Sequence, residues 1–217
     1  MIPALLALAL PAVATTAADP LWNAAVAAVG KDLILPKAAI VSTAAQGRTT
    51  ETWVTFQWTD DHLESTIVYR REGNRVLSEE ECSRRNRLDT RLRRAAPFRI
   101  DEIPLQPALQ PIVRHRRAAT VPEGVVFEFA MHRDGDALVG TVFVAHDGTP
   151  RRIEFEPRPM PFGIRSIHSS LRLEPATGGG VRLHSMTVTG SAGALWIDRP
   201  FRTEYRFLDQ LPEMPRN

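Results

Sequence analysis

Residues 125–145 read VVFEFAMHRDGDALVGTVFVA, and the same alternation of apolar and polar side chains continues in short segments to residue 207. The segments are rich in β-branched and aromatic residues, as half-buried β-strands are. Turn signals separate them, among them Asp134-Gly135-Asp136 and Asp147-Gly148. The pattern predicts a mainly β (α+β) fold: a curved antiparallel meander or half-open barrel with an N-terminal helix and a helical or loop insert.

Two hairpins of this meander differ in how their faces are divided. Around the glycine-rich loop at 177–180, placing Leu173 opposite Val181 gives one mostly apolar and one mostly polar face, although Arg172 then faces Arg182. In the hairpin at 125–145, both faces carry apolar side chains. Either a helix or the opposite wall of the sheet covers the second face, or the interior of the fold is hollow.

The first residues of the chain have the character of an export signal. Residues 1–18 read MIPALLALALPAVATTAA and carry no charged side chain. Their apolar part, residues 2–14, is shorter than the ~20 residues that a helix needs to cross a bilayer. Small residues end the segment, as they do at a secretory cleavage site. We expect a cleaved signal peptide at 1–18 and a periplasmic protein; the alternatives are an uncleaved anchor and a merely apolar N-terminus.

Residues 19–217 are expected to form a single β-rich domain. Asp19-Pro20 can begin a short helix that packs by Trp22 and ends at Gly30. Alternation at 49–59 and a hairpin around Gly73 add strands. Residues 209–217, with two prolines, are expected to form a loose tail.

A basic, proline-rich insert is predicted at 78–123. Ser78 and Glu81 have the spacing of a capping box, which begins a helix that runs to about residue 94. Residues 95–123 contain five prolines and are expected to form a long irregular connector with a second basic cluster at 114–117. The helix is either a solvated one or a contact for anionic lipid headgroups or an acidic partner. The arginines of this predicted contact are Arg84, Arg85, Arg87 and Arg91.

Charge and motifs argue against several classes of function. The chain has 27 basic and 25 acidic residues, a balance that does not indicate a nucleic-acid-binding surface. Its six histidines form no metal-binding motif, although His168 and His184 are diagonal neighbours in the register above. Cys82 is the only cysteine, so no intramolecular disulfide is possible, and the nearby arginines would lower the pKa of its thiol. With no nucleophile, phosphate-loop or dinucleotide motif, we expect no metal, no cofactor and no enzymatic activity.

Four segments carry a family resemblance: AHDGTPRRIEFEP (145–157), IRSIHSSLRLEP (164–175), GGGVRLHSMTVTG (178–190) and PFRTEYRFLDQ (200–210). Their order, behind an N-terminal helix and an apparent export signal, resembles the periplasmic lipoprotein-carrier (LolA-like) superfamily. The resemblance covers mainly residues 125–210. It implies a half-open barrel around an apolar cavity, closed by helices or loops, that binds acyl chains or another hydrophobic ligand.

The leading hypothesis is a monomeric, non-enzymatic periplasmic carrier that holds a hydrophobic small molecule, such as a lipid or acyl chain, inside the curved sheet. Alternation alone selects the residues of the predicted ligand wall: Phe56, Trp58, Phe127, Phe129, Phe143, Phe155 and Tyr205. The alternative is an interaction or scaffold protein that uses residues 84–94 and the 95–123 loop to bind an envelope protein or an anionic membrane surface.

Overall fold

The computed structural model describes residues 19–58, 63–93, 103–133, 135–177, 180–193 and 198–213. The expected signal peptide at 1–18 lies outside the described residues, and so do residues 94–102 and the last four residues of the expected tail.

One twelve-stranded sheet dominates the described part of the chain. Its strands are β1 (Leu33–Ile34), β2 (Ala38–Ala45), β3 (Arg48–Trp58), β4 (Leu63–Glu72), β5 (Arg75–Val76), β6 (Val113–Val121), β7 (Gly124–Arg133), β8 (Asp136–Ala145), β9 (Pro150–Arg158), β10 (Ile164–Pro175), β11 (Val181–Ala192) and β12 (Arg199–Leu208). The described helices are α1 (Pro20–Asp32), α2 (Glu79–Arg93) and a 3-10 helix (Pro107–Ile112).

The strand order shows two meanders that meet in the middle of the sheet. It runs β5-β4-β3-β2-β12-β11-β10-β9-β8-β7-β6, and the short β1 lies parallel to the start of β11. The first meander (β2 to β5) and the second (β6 to β12) join where β2 pairs with β12. Because β5 and β6 are the two edges, the sheet is not closed into a barrel. The prediction of a mainly β, antiparallel fold with an N-terminal helix is confirmed.

The core lies on one face of this sheet, which we call the inner face. Its inward side chains come from alternate positions, as the pleat requires. Phe129 on β7 and Phe155 on β9 lie opposite Gly140 on the strand between them. A Cβ at Gly140 would stand 1.8 Å from the backbone oxygen of Glu154, so the absent side chain lets the strands approach and the two buried rings flank the gap.

Helix α1 covers one end of the inner face and is anchored by Trp22. Asp19 caps the helix by accepting a hydrogen bond from the backbone N–H of Leu21 at 2.9 Å. The Trp22 ring stacks on His115 with 4.1 Å between ring centroids and meets Phe127 edge-on. The predicted packing through Trp22 is confirmed, although the helix continues to Asp32, two residues beyond the predicted end at Gly30.

Helix α2 begins at the predicted capping box. The backbone N–H of Ser78 donates to Glu81 Oε2 at 2.9 Å, and the Glu81 N–H donates to Ser78 Oγ at 3.3 Å. Asn86 then bonds both the N–H and the C=O of Ile67 on β4, at 2.7 and 3.1 Å. These bonds and the buried Cys82 fix α2 against the inner face of β4.

The prediction of an irregular connector over 95–123 is wrong for residues 107–121. Residues 107–112 form the 3-10 helix, and the basic cluster at 114–117 lies in edge strand β6. Most β6 side chains are exposed, so the segment lacks the alternation that identifies a half-buried strand.

The predicted register of the 164–192 hairpin is wrong, by two residues next to the loop and by three beyond the bulge. Leu173 lies opposite Leu183, and a bulge in the pairing places Arg172 opposite Ser185. Arg182 instead pairs with Glu174 at 3.2 Å. The observed register therefore keeps the leucines inside and gives Arg182 an ion pair with Glu174 in place of the predicted Arg172, which lies opposite Arg152 on β9 instead.

Candidate functional site

The two α-helices leave the middle of the inner face between them. Helix α1 packs against β1, β8, β11 and the 3-10 helix, and α2 packs against β4. Strands β12, β2 and β3 lie between these contacts. We call their inward-facing residues the inner strip: Phe201, Thr203, Tyr205, Phe207, Ala39, Val41, Thr43, Ala45, Thr50, Thr52, Val54 and Phe56.

Strand pairing arranges the inner strip in rows, and the only charged described residue in these rows is the exposed Arg48, which lies opposite Ala45 at the Phe201 end. Tyr205, Val41 and Thr52 form one row across the three strands. In the next row, Thr203 Oγ1 and Thr43 Oγ1 are 3.3 Å apart and satisfy each other. The other face of β12 carries instead the charged side chains Arg202, Glu204 and Arg206.

The strip has an aromatic end and a more polar end. At the first, the ring of Phe207 lies 6.5 Å from that of Phe56 and 6.2 Å from that of Tyr205, between centroids. Phe207 is buried, whereas Phe56 and Tyr205 are partly exposed. Past the threonine row, the strip reaches Phe201 and Ala45. Strand geometry of ~3.3 Å per residue makes the distance from residue 207 to residue 201 about 20 Å.

A depression of about 500 Å³ continues the strip at its Phe201 end. It is lined by Ala45, Gln46, Ala192, Gly193, Arg199, Pro200 and Phe201. Arg199 is its only charged described lining residue and is exposed. The geometry is that of an apolar trough with a cation near one end.

The opposite border of the strip, on β4 and α2, is charged. Arg70 Nε lies 2.9 Å from Glu72 Oε1, and Arg85 lies 3.2 Å from the same oxygen. Arg84 lies 3.5 Å from Glu80. Carboxylates thus neutralise Arg84 and Arg85, two arginines of the predicted anionic contact, and the side chains of Arg87 and Arg91 fall outside the described residues.

The structure divides the predicted ligand wall. Phe127, Phe129 and Phe155 are fully buried among other core side chains. Phe56 and Tyr205 belong to the inner strip.

Two residues of the predicted ligand wall belong neither to the buried core nor to the inner strip. Phe143 lies on the other face of the sheet, where it is paired with Val126 and Arg152. The Trp58 side chain lies outside the described residues. Sequence reasoning missed Phe207 and Val41; the alternation of β12 includes Phe207, but AAIVSTAA (38–45) offers no comparable signal.

Other reactive residues do not form a site in the described ranges. Burial raises the pKa of the Cys82 thiol, so the predicted lowering by arginines is wrong. His168 lies opposite Thr189, while His184 Nδ1 is 3.1 Å from Glu174; the predicted histidine pair is separated.

No three His, Cys, Asp or Glu residues among those described could hold a metal ion. The described helices include none long and apolar enough to span a membrane.

Comparison with known proteins gives only a distant likeness. No family model and no curated protein matches the chain. The crystal structure of MucB in complex with MucA(peri) is similar over 85% of this chain and 91% of that chain, with 10% identity and a TM-score of 0.22. The complex structure of Pseudomonas aeruginosa MucA/MucB is similar over 86% of this chain and 92% of that chain, with 10% identity and a TM-score of 0.21. These values amount to a weak similarity of fold, and the family of the chain stays a prediction.

Proposed function

We propose that the chain is an exported, non-enzymatic binding protein of the periplasm that holds an acyl chain, or another elongated hydrophobic ligand, along the inner strip. The observation that carries the proposal is the inner face of three adjacent strands between α1 and α2, which has no charged side chain from the Phe207 row to the Thr203 row and has Arg48 and Arg199 at its Phe201 end. Its twelve named residues are buried or half-buried, and concave sites lined mainly by apolar side chains are where small molecules generally bind.

The dimensions of the strip suit an acyl chain. Its ~20 Å length exceeds the ~15 Å that one leaflet contributes to a bilayer core about 30 Å thick. A chain of ~14 methylenes gains ~11 kcal/mol when fully buried, at about 0.8 kcal/mol each. Association costs at least ~4 kcal/mol, which leaves ~7 kcal/mol, or a dissociation constant near 10 µM. Reversible binding of this strength suits a carrier.

The two ends of the strip predict the orientation of the ligand. The aromatic end at Phe56 and Phe207 offers apolar contact only. At the other end, the exposed Arg199 beside the depression can meet a carboxylate or phosphate. An amphiphilic ligand would therefore point its tail toward Phe207 and its headgroup toward Arg199.

Two neighbouring residues of β2 provide a matched test. Thr43 points into the inner strip, and Ala44 is exposed on the other face of the same strand. A carboxylate at residue 43 would have to be desolvated by the ligand. We expect Thr43→Glu to weaken binding of a fluorescent fatty acid at least tenfold and Ala44→Glu to leave it unchanged, with both variants folded by circular dichroism.

Mass spectrometry of gently purified protein is the second measurement. A co-purifying lipid that Thr43→Glu loses and Ala44→Glu retains would support the proposal. The absence of both a co-purifying lipid and saturable fatty-acid binding would overturn it, as would equal binding by the two variants.

A further inference from the structure

Strand β6 forms an open edge of the sheet. It spans Val113–Val121, and among the described strands only β7 pairs with it. Apart from the strand ladders, the backbone hydrogen bonds among described residues do not involve residues 114–121. Proteins usually shorten, cover or interrupt such edges, because unpaired N–H and C=O groups accept another strand. Among the described residues, none pairs with the outer edge of this nine-residue strand, which has one irregularity between Arg117 and Ala119.

The first half of β6 is basic. The strand contains Arg114, Arg116 and Arg117 and no acidic residue. Arg116 Nε donates to Glu128 at 2.7 Å, and Arg117 lies 2.9 Å from Asp19. Arg114 is exposed, and the ion pairs among the described residues include Arg116 and Arg117 but not Arg114. Within the described part of the chain, Arg114 is therefore the arginine of β6 that has no carboxylate partner.

The strand is held rigidly before any partner arrives. His115 is stacked under Trp22, and Arg117 lies over the ring of Phe127 at 6.0 Å while bonded to Asp19. These contacts come from the inner face, so they leave the outer edge uncovered. A strand that is already ordered costs little further conformational entropy when it pairs.

We propose that β6 accepts an extended acidic segment of a partner protein as an additional strand of the sheet. Side chains directly opposite on paired strands lie about 4.5–5.5 Å apart at Cβ. An acidic side chain in every second position of the segment would therefore face Arg114 and Arg116. Two copies of β6 paired antiparallel about His115 would place Arg114 against Arg116, which disfavours that register of pairing between copies of this chain. The site is separate from the inner strip and does not depend on the ligand proposed there.

Synthetic peptides test the proposal on the full chain. The probe is a ten-residue peptide in which glutamate alternates with valine or threonine, and its control replaces each glutamate with lysine. Fluorescence anisotropy should show saturable binding of the acidic peptide only, weakened by added salt. We expect Arg114→Glu to reduce the affinity at least tenfold. Arg206→Glu, at an exposed arginine of β12 inside the sheet, is the matched control and should leave the affinity unchanged.

Backbone methylation separates strand addition from simple charge attraction. Two further peptides carry N-methyl groups on the odd or on the even residues, which leaves every charge in place. Strand addition predicts that one loses binding and the other retains it, since only alternate N–H groups of an added strand face β6. Equal binding by both would overturn the proposal, and so would equal affinities of the Arg114 and Arg206 variants.

Two other occupants of the edge give distinct results. A dimer in sedimentation analysis that Arg114→Glu dissociates would show that a second copy occupies the edge. Binding to phosphatidylglycerol vesicles that the same variant abolishes, without peptide binding, would show that the edge meets a membrane. Either result would overturn the acidic-segment proposal. Arg114→Glu and Arg206→Glu both leave the inner strip unchanged. The result of the fatty-acid binding test is therefore independent of the result of the peptide test.

Discussion

Replacing Trp22 with alanine should detach α1 from the sheet. The side chain is 1% exposed, stacks on His115 and donates its indole N–H to Gln110 at 3.0 Å. Aromatic residues bury about 150–250 Å², which at ~25 cal/mol per Å² corresponds to ~4–6 kcal/mol. Truncations of this kind typically cost ~3–5 kcal/mol. We expect Trp22→Ala to lower the free energy of unfolding by ~4 kcal/mol.

Trp22→Phe separates packing from hydrogen bonding. A phenyl ring can still stack on His115, but Gln110 then loses its indole donor. The Gln110 amide nitrogen remains bonded to the backbone oxygens of Pro104 and Gln106, at 2.8 and 3.1 Å. The loss for Trp22→Phe should therefore be smaller, ~1–2 kcal/mol.

Urea unfolding followed by circular dichroism gives both free energies, and hydrogen exchange reports on α1 itself. In Trp22→Ala, the amides of residues 24–30 should exchange faster than those of β7 and β8. A loss below ~1 kcal/mol, with α1 amides still protected, would refute the reasoning that Trp22 anchors the helix.

Three further substitutions test local features of the fold. Gly140→Ala should cost ~3 kcal/mol or prevent folding, because its Cβ would meet the Glu154 backbone oxygen at 1.8 Å; thermal denaturation should show a much smaller loss for Thr141→Ala on the other face. Ser78→Ala removes half of the capping box and should cost ~1 kcal/mol; faster exchange confined to α2 would support this, and an unchanged α2 would contradict it. Burial lowers the pKa of His115, against a smaller opposing effect of Asp19, so the folded state favours the neutral ring. The stabilisation of the folded state by the neutral His115 ring is then complete above the unfolded pKa of about 6.5, and it is lost as the pH falls below that value. The Tm difference between the native chain and His115→Phe should change between pH 7 and 5, and parallel pH profiles would rule this linkage out.

The strands of the second meander are predictable because each is half-buried and pairs with the next strand along the chain. The alternation beginning at Val125 corresponds to β7, and Asp147-Gly148 lies in the turn between β8 and β9. Each hairpin needs only its own apolar pattern and its turn residues. The register at 164–192 is less predictable, since registers that differ by two residues both keep leucines inside, and the bulge between Arg172 and Leu173 then shifts the remaining pairs by one more residue.

Strand β6 shows where such patterns stop being informative. Its exposed side chains carry no alternation, so the basic cluster at 114–117 looks like part of a connector. Pairing with β7 and the stacking of Trp22 on His115 hold it as a strand. Tertiary contacts here decide a conformation that the local sequence does not express.

The inner strip is unpredictable for a different reason. Phe56 and Phe207 lie far apart in sequence and meet only because β2 pairs with β12 where the two meanders join. Alternation predicts that each faces inward, but it does not predict which distant residues become neighbours. The predicted wall consequently mixed strip residues with core residues and with Phe143 on the other face.

Both proposed sites follow from the incomplete closure of the sheet. If β5 paired with β6, the barrel would have no edge for an added strand, and its interior would be enclosed. The strand order places β6 six strands from β12, which at ~4.8 Å per strand is about 29 Å along the sheet. That distance is well beyond the Debye length of about 8 Å at physiological salt, so a charge change at Arg114 should not reach a ligand in the inner strip electrostatically. Any coupling between peptide binding and fatty-acid binding would therefore have to pass through a change in the sheet itself, and measuring each affinity with the other site filled would detect it.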